Sequence, residues 1–215
     1  MYVPATPAQT APALAPVGFA SAAPAAIVMP VDTSLRVRSS QLNVLEDYRA
    51  TVTGALLEDR HAGATGLTVS LQALGARGWK TLTRARTGAH GRFRVSYTPH
   101  NLGSESLRLR FAGDGVALGS HKRLGQLNVF RLAGASWYGG GGTMACGGPL
   151  TTNTLGVANK TLPCGTLVTL RYGDHSVRVP VVDRGPYVAG REFDLTEATK
   201  RALGFGSTGD VWSTD

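Results

Sequence analysis

The stretch Val181-Val182-Asp183-Arg184-Gly185-Pro186-Tyr187-Val188-Ala189-Gly190-Arg191-Glu192-Phe193-Asp194-Leu195 carries two acidic residues, Asp183 and Asp194, at the two ends of a run of turn formers. Asp183 closes the apolar run Val177–Val182, which reads as a strand. Asp194 precedes a short helical pattern over Thr196–Leu203, with Glu197 in the first turn, Lys200 and Arg201 near the end and Gly204 beyond it. A strand end and a helix start that deliver two carboxylates to one place make a candidate acid/base pair. The same residues also suit local roles, Asp183 as a turn cap and Asp194 or Thr196 as the helix cap.

Working outward, Leu167–Tyr172 and Ser176–Val182 read as two strands around a Gly173-Asp174 turn, and Val211-Trp212 as a closing strand. Roughly six short strands and one helix over residues 133–215 predict a small closed β-barrel. Cys146 and Cys164 lie in its Gly-rich loops. Two cysteines fall short of the four ligands a structural zinc needs, so they read as one disulfide, with two buried thiols as the alternative. A disulfide implies an oxidising compartment.

The preceding part reads differently. Seven candidate strands, Gln41–Leu45, Arg49–Gly54, Leu67–Leu74, Gly78–Arg84, Arg92–Tyr97, Ser106–Phe111 and Gln126–Leu132, are separated by turn-rich pieces. Leu67, Val69, Leu71 and Ala73 alternate with Thr68, Ser70 and Gln72, the pattern of a strand buried on one face. The fold class is therefore all-β: an immunoglobulin-like β-sandwich over 35–132, then a six-stranded barrel over 133–215. Residues 1–34 are rich in Ala and Pro and read as a flexible extended segment. Their prolines argue against a transmembrane segment, and no basic residue precedes Arg36, so no export signal is evident.

The net charge of +8 belongs to the first part. Residues 1–134 hold 15 Lys/Arg and 7 Asp/Glu, and residues 135–215 hold 7 of each. A basic module suits an anionic polymer. Arg92, Arg94, Arg108 and Arg110 take outward positions on two strands and would form one stripe if those strands were neighbours. Phe93, Tyr97 and Phe111 point inward by the same alternation, so no aromatics interleave the stripe, and nucleic acid is excluded as a partner.

The barrel part resembles the rare lipoprotein A (RlpA) family of septal lytic transglycosylases, which have double-psi β-barrels. The matching pieces are Ala135-Ser136-Trp137-Tyr138-Gly139, Lys160-Thr161-Leu162-Pro163-Cys164-Gly165-Thr166, Asp183-Arg184-Gly185-Pro186-Tyr187, Gly190-Arg191 and Asp194-Leu195. The resemblance implies a secreted or cell-wall-associated protein that acts on peptidoglycan glycan strands by transglycosylation, with no metal and no organic cofactor. The 6-hydroxyl of the sugar then closes an anhydro ring in place of attack by water. Of the family's proposed trio Asp183 matches, while the other two positions hold Gly148 and Asn159. Asp194 resembles the acidic position of two related barrels, the expansins and membrane-bound lytic transglycosylase A. The catalytic candidates are therefore Asp183 and Asp194. Tyr138, Asn159, Thr161, Arg184, Tyr187 and Arg191 are candidates for holding sugar hydroxyls, pyranose faces or a muramyl carboxylate. Partners are peptidoglycan glycan strands and, through the basic module, anionic wall polymers. The alternative reading is a non-catalytic, expansin-like glycan binder that loosens the wall.

Overall fold

The computed structural model describes residue 1 and residues 29–215. The flexible segment expected over 1–34 therefore lies mostly outside the described residues. The chain is mostly β. Its strands are β1 (Thr33–Gln41), β2 (Asn43–Leu45), β3 (Ala50–Glu58), β4 (Ala62–Gly63), β5 (Thr68–Gly75), β6 (Gly78–Arg86), β7 (Arg92–Tyr97), β8 (Gly103–Phe111), β9 (Ser120–Tyr138), β10 (Val157–Ala158), β11 (Leu167–Tyr172), β12 (His175–Asp183), β13 (Phe193–Thr196) and β14 (Thr208–Ser213). A single α-helix among the described residues, α1 (Glu197–Leu203), lies between β13 and β14.

In the first half two sheets share one core. β3 pairs with β1, β4 and β7, while β5 pairs with β6 and β8, and β8 with β9. Alternation decides what each sheet buries. Leu35, Val52, Leu56, Phe93 and Val95 from one sheet meet Val69, Leu71, Leu107, Leu109, Phe111 and Leu127 from the other. The strand expected at Gln41–Leu45 is divided at Leu42, with its first residue ending β1 and its last three forming β2. The basic stripe is corrected. β7 belongs to the sheet of β3 and β8 to the sheet of β5 and β9, so Arg92 and Arg94 do not adjoin Arg108 and Arg110.

The second half closes on itself. β9 pairs with β14 on one side and β13 on the other, and β14–β11, β11–β12, β12–β10 and β10–β13 complete a ring of six strands. Ala133, Ala135, Val157, Val168, Leu170, Val179, Val181, Phe193, Leu195, Leu203, Phe205 and Val211 fill it. Closure leaves no open strand edge to template aggregation. β9 serves both halves without interruption, and residues 132 and 133 lie inside it.

Helix α1 is seated by a buried hydroxyl cluster. Thr196 caps the helix, accepting from the Thr199 N–H at 3.4 Å. Asp194 is not the cap but a member of β13. Thr196 Oγ1 donates to the Gly156 carbonyl at 3.0 Å, and the Gly156 N–H donates to Thr199 Oγ1 at 2.9 Å. Both threonines are fully buried. Gly156 admits no side chain, because a Cβ would lie 2.4 Å from Val182 Cγ2. Thr199→Val keeps the shape but strips the acceptor from a buried N–H. It is expected to lower unfolding free energy by roughly 1–3 kcal/mol in urea denaturation.

Candidate active site

The two aspartates meet across the shortest strand of the ring. Ala158 of β10 is in register with Asp183 on parallel β12 and with Asp194 on antiparallel β13. Two strand spacings therefore separate their backbones, roughly 10 Å. Asp183 Oδ1 accepts the Ala145 N–H at 2.8 Å and the Arg184 N–H at 2.9 Å. Asp194 Oδ1 accepts from Ser136 Oγ, brought alongside by the parallel β13–β9 pairing. Both aspartates are half-buried.

The charges of both reach Tyr138. Its hydroxyl is buried and makes no hydrogen bond at standard geometry, although Asp183 is near enough for an elongated one. Burial first, then the charges of Asp183 and Asp194, push its pKa well above the ordinary phenol range. The phenol is thus neutral. A sugar-stacking role for Tyr138 fits this placement poorly. Its neighbour Trp137 is the more open ring, 37% exposed, but Lys200 Nζ lies 3.8 Å from its centre.

The disulfide is present, and it connects the loops that make the site. Cys146 and Cys164 are bonded, with Cα atoms 5.6 Å apart. The Cys146 N–H donates to the Val182 carbonyl at 3.2 Å, next to the Ala145 amide on Asp183. Replacing both cysteines by serine is expected to cost about 3 kcal/mol, the loop-closure value for this separation. A denaturant titration with and without reductant measures it, and the reduced native chain should match the variant.

Several expected binding residues are held by the barrel itself. Asn159 is 7% exposed; its Oδ1 accepts the N–H groups of Thr161 and Leu162 at 2.9 and 2.8 Å, and its Nδ2 donates to the Glu192 carbonyl. The Thr161 hydroxyl also leans on Asn159 Oδ1, at 3.5 Å. Arg184 donates to the carbonyls of Asn159 and Leu162 at 3.0 and 2.7 Å, and so pins the loop that carries Cys164. Tyr187, 82% exposed, follows the cis Gly185-Pro186 bond, in the segment that joins the two aspartates. Arg191 is half-buried and forms no ion pair among the described residues. Gly148 has open space where a Cβ would point, on a backbone with φ of +81°. Ser136 and the Ala145 amide were not legible as partners of the aspartates. Ser136 lies in a quoted motif, but only strand register joins it to Asp194.

Residues 132–211 match the family model described as lytic transglycolase. A probable endolytic peptidoglycan transglycosylase RlpA from Synechocystis sp. is 39% identical over 109 residues, covering 44% of this chain and 34% of that protein. The Aquifex aeolicus protein of the same name is 43% identical over 75 residues, covering 33% of each. In Pseudomonas aeruginosa the endolytic peptidoglycan transglycosylase RlpA is 38% identical over 87 residues, covering 38% of this chain and 26% of that protein. Residues 132–211 are RlpA-like. The chain spans about a third or less of the length of these curated relatives. Within the RlpA-like barrel, Asp183 and Asp194 are the carboxylates that strand register places on either side of Ala158. Among solved structures, the Streptomyces papain inhibitor overlaps 40% of this chain and 92% of its own, at 19% identity and a TM-score of 0.33.

Proposed function

We propose that this chain is a peptidoglycan lytic transglycosylase exported to the cell wall, with residues 133–215 as its catalytic barrel and Asp183 and Asp194 as its working pair. The observation that carries the reading is the register of both aspartates on Ala158. Asp194 is the acid. Its partner Ser136 can donate to a carboxylate or accept from a carboxylic acid, so the bond survives a change of protonation. Asp183, facing two N–H donors, is suited to remaining an acceptor and to stabilising positive charge that develops at the sugar.

The chemistry then balances without water. Asp194 donates its proton to the glycosidic oxygen as the bond to C1 breaks. The 6-hydroxyl of the muramyl residue attacks C1 and passes its proton to the Asp194 carboxylate, which restores the acid. The products are a 1,6-anhydromuramyl end and a glycan with a free 4-hydroxyl. Tyr187, exposed, and Arg191, which has no ion-pair partner among the described residues, would meet the sugar face and the muramyl carboxylate. Digesting purified peptidoglycan with the full chain and resolving the products by mass tests this. Anhydromuramyl ends are expected, and hydrolysed reducing ends in their place would refute the mechanism.

A second reading, an expansin-like glycan binder, draws on Gly148 and on the structural use of the Asn159 amide at two family positions. It predicts saturable wall binding with no new chain ends. In either case residues 35–132, read as an immunoglobulin-like sandwich, are the tether that holds the barrel to anionic wall polymer.

A further inference from the structure

The outer face of the β6-β5-β8-β9 sheet is a cationic trough. Strand register aligns Arg84, Ser70, Arg110 and His121 in one row across the four strands, and Thr81, Gln72, Arg108 and Arg123 in the next. Three adjoining hollows of about 380, 200 and 270 Å³ follow these rows, the first two sharing Arg110, Phe111 and Ala112, and the third lying between Trp79 and Arg123. Arg84, Arg110 and Arg123 are exposed. None of these arginines forms an ion pair among the described residues. The hollows have one acid, Asp114 at the rim, and its carboxylate is already taken by the N–H groups of Val116 and Ala117.

This crowding works against the fold. Burial, together with the neighbouring charges of Arg110 and Arg123, lowers the pKa of Arg108. Packing does not require that density of like charge on a solvated sheet face, and a polyanion would relieve it.

We infer that this face binds a linear polyol phosphate, a phosphodiester chain without bases. Arg110 and Arg108 stand two residues apart along β8, about 7 Å, and neighbouring strands are about 4.8 Å apart, so the cations meet successive phosphates of a flexible chain. Guanidinium groups pair with phosphate oxygens in a bidentate way. Of the two benzenoid rings at the trough, Phe111 is buried in the core and Trp79 is covered by the Arg108 guanidinium at 4.2 Å, with Arg108 held there by Gln72 at 2.8 Å. No exposed phenyl, phenol or indole ring is left on which a base or a pyranose would stack, which favours charge over stacking as the means of recognition. The inference deepens the tethering role proposed for residues 35–132 and is independent of the barrel's chemistry.

The test measures binding of the full chain to poly(glycerol phosphate), with neutral chitin oligosaccharide and oligo-dT as counter-probes. Two charge reversals are compared: Arg84→Glu with Arg110→Glu on the trough, and Arg92→Glu with Arg94→Glu on the opposite sheet. Both change net charge equally. The trough reversal is expected to weaken binding at least about tenfold and the opposite reversal less than about twofold. Arg84→Gln with Arg110→Gln, milder for folding, should fall between them. Equal loss from both reversals would overturn the trough while leaving a tether by net charge. A wild-type chain that binds no poly(glycerol phosphate) would overturn the tether as well. Oligo-dT bound as tightly as the polyol phosphate would overturn the ligand class.

Discussion

Asp194→Asn is expected to reduce release of anhydromuramyl ends by about 10²–10⁴-fold, the usual weight of a positioned general acid. The amide keeps the size of the carboxyl group and can still take the Ser136 hydroxyl, so β13 and its pairing to β9 stay in place. Wall binding should therefore persist while product formation falls. Asp183→Asn presents an NH₂ or a neutral oxygen to the N–H groups of Ala145 and Arg184, and removes the carboxylate that the proposed mechanism sets beside the sugar. Its cost should be smaller in the proton-transfer step and should not change the identity of the product. Mass analysis of a timed digest separates the two variants. Undiminished product from Asp194→Asn would move the acid elsewhere in the barrel.

The second large effect is on stability. Phe193 is fully buried in the barrel core, one position before Asp194, and is in register with Ala135 of β9. Phe193→Ala opens a cavity that a closed ring of six short strands has little freedom to fill. The expected loss is about 3–5 kcal/mol in denaturant unfolding. Phe193→Leu should recover most of it, because residual cavity volume sets the cost. A loss confined to the barrel would show as a transition separate from that of the other core.

The strands of the first half were legible because each buries one face. The expected Arg92–Tyr97 is β7 itself, and Leu67–Leu74 is β5 displaced by one residue. The barrel's closure was less so. Its decisive pairings, β13 on β9 and β10 on β12, are parallel and join residues with no turn between them. β10 is two residues long, too short for any periodicity. Asp194 looked like a helix cap for that reason: a four-residue strand directly before a helix carries no alternation to announce it. At the site, the acids could be picked out by residue type, but the groups that orient them could not. One is the main-chain amide of Ala145, which has no sequence signature, and another is Ser136, 58 residues from the aspartate it meets. The cationic trough shows the same limit. Its arginines were visible along the chain, but only register determines which of them share a face.

β9 has a mechanical consequence. Ladder pairing runs along it with one bulge, at Leu124: to β8 over Ser120–Val129, to β2 over Asn128–Phe130, to β14 over Arg131–Ser136 and to β13 over Ala135–Tyr138. At the crossing, Phe130 meets Trp212, and Arg131 bridges Glu192 and the terminal Asp215. The nineteen residues of β9 give it a contour of roughly 60 Å, so one half moves the other as a lever moves its load. A leash would let the barrel sweep a sphere around its anchor. A lever fixes both reach and angle, so the wall strand that is cut would be chosen by the geometry of attachment.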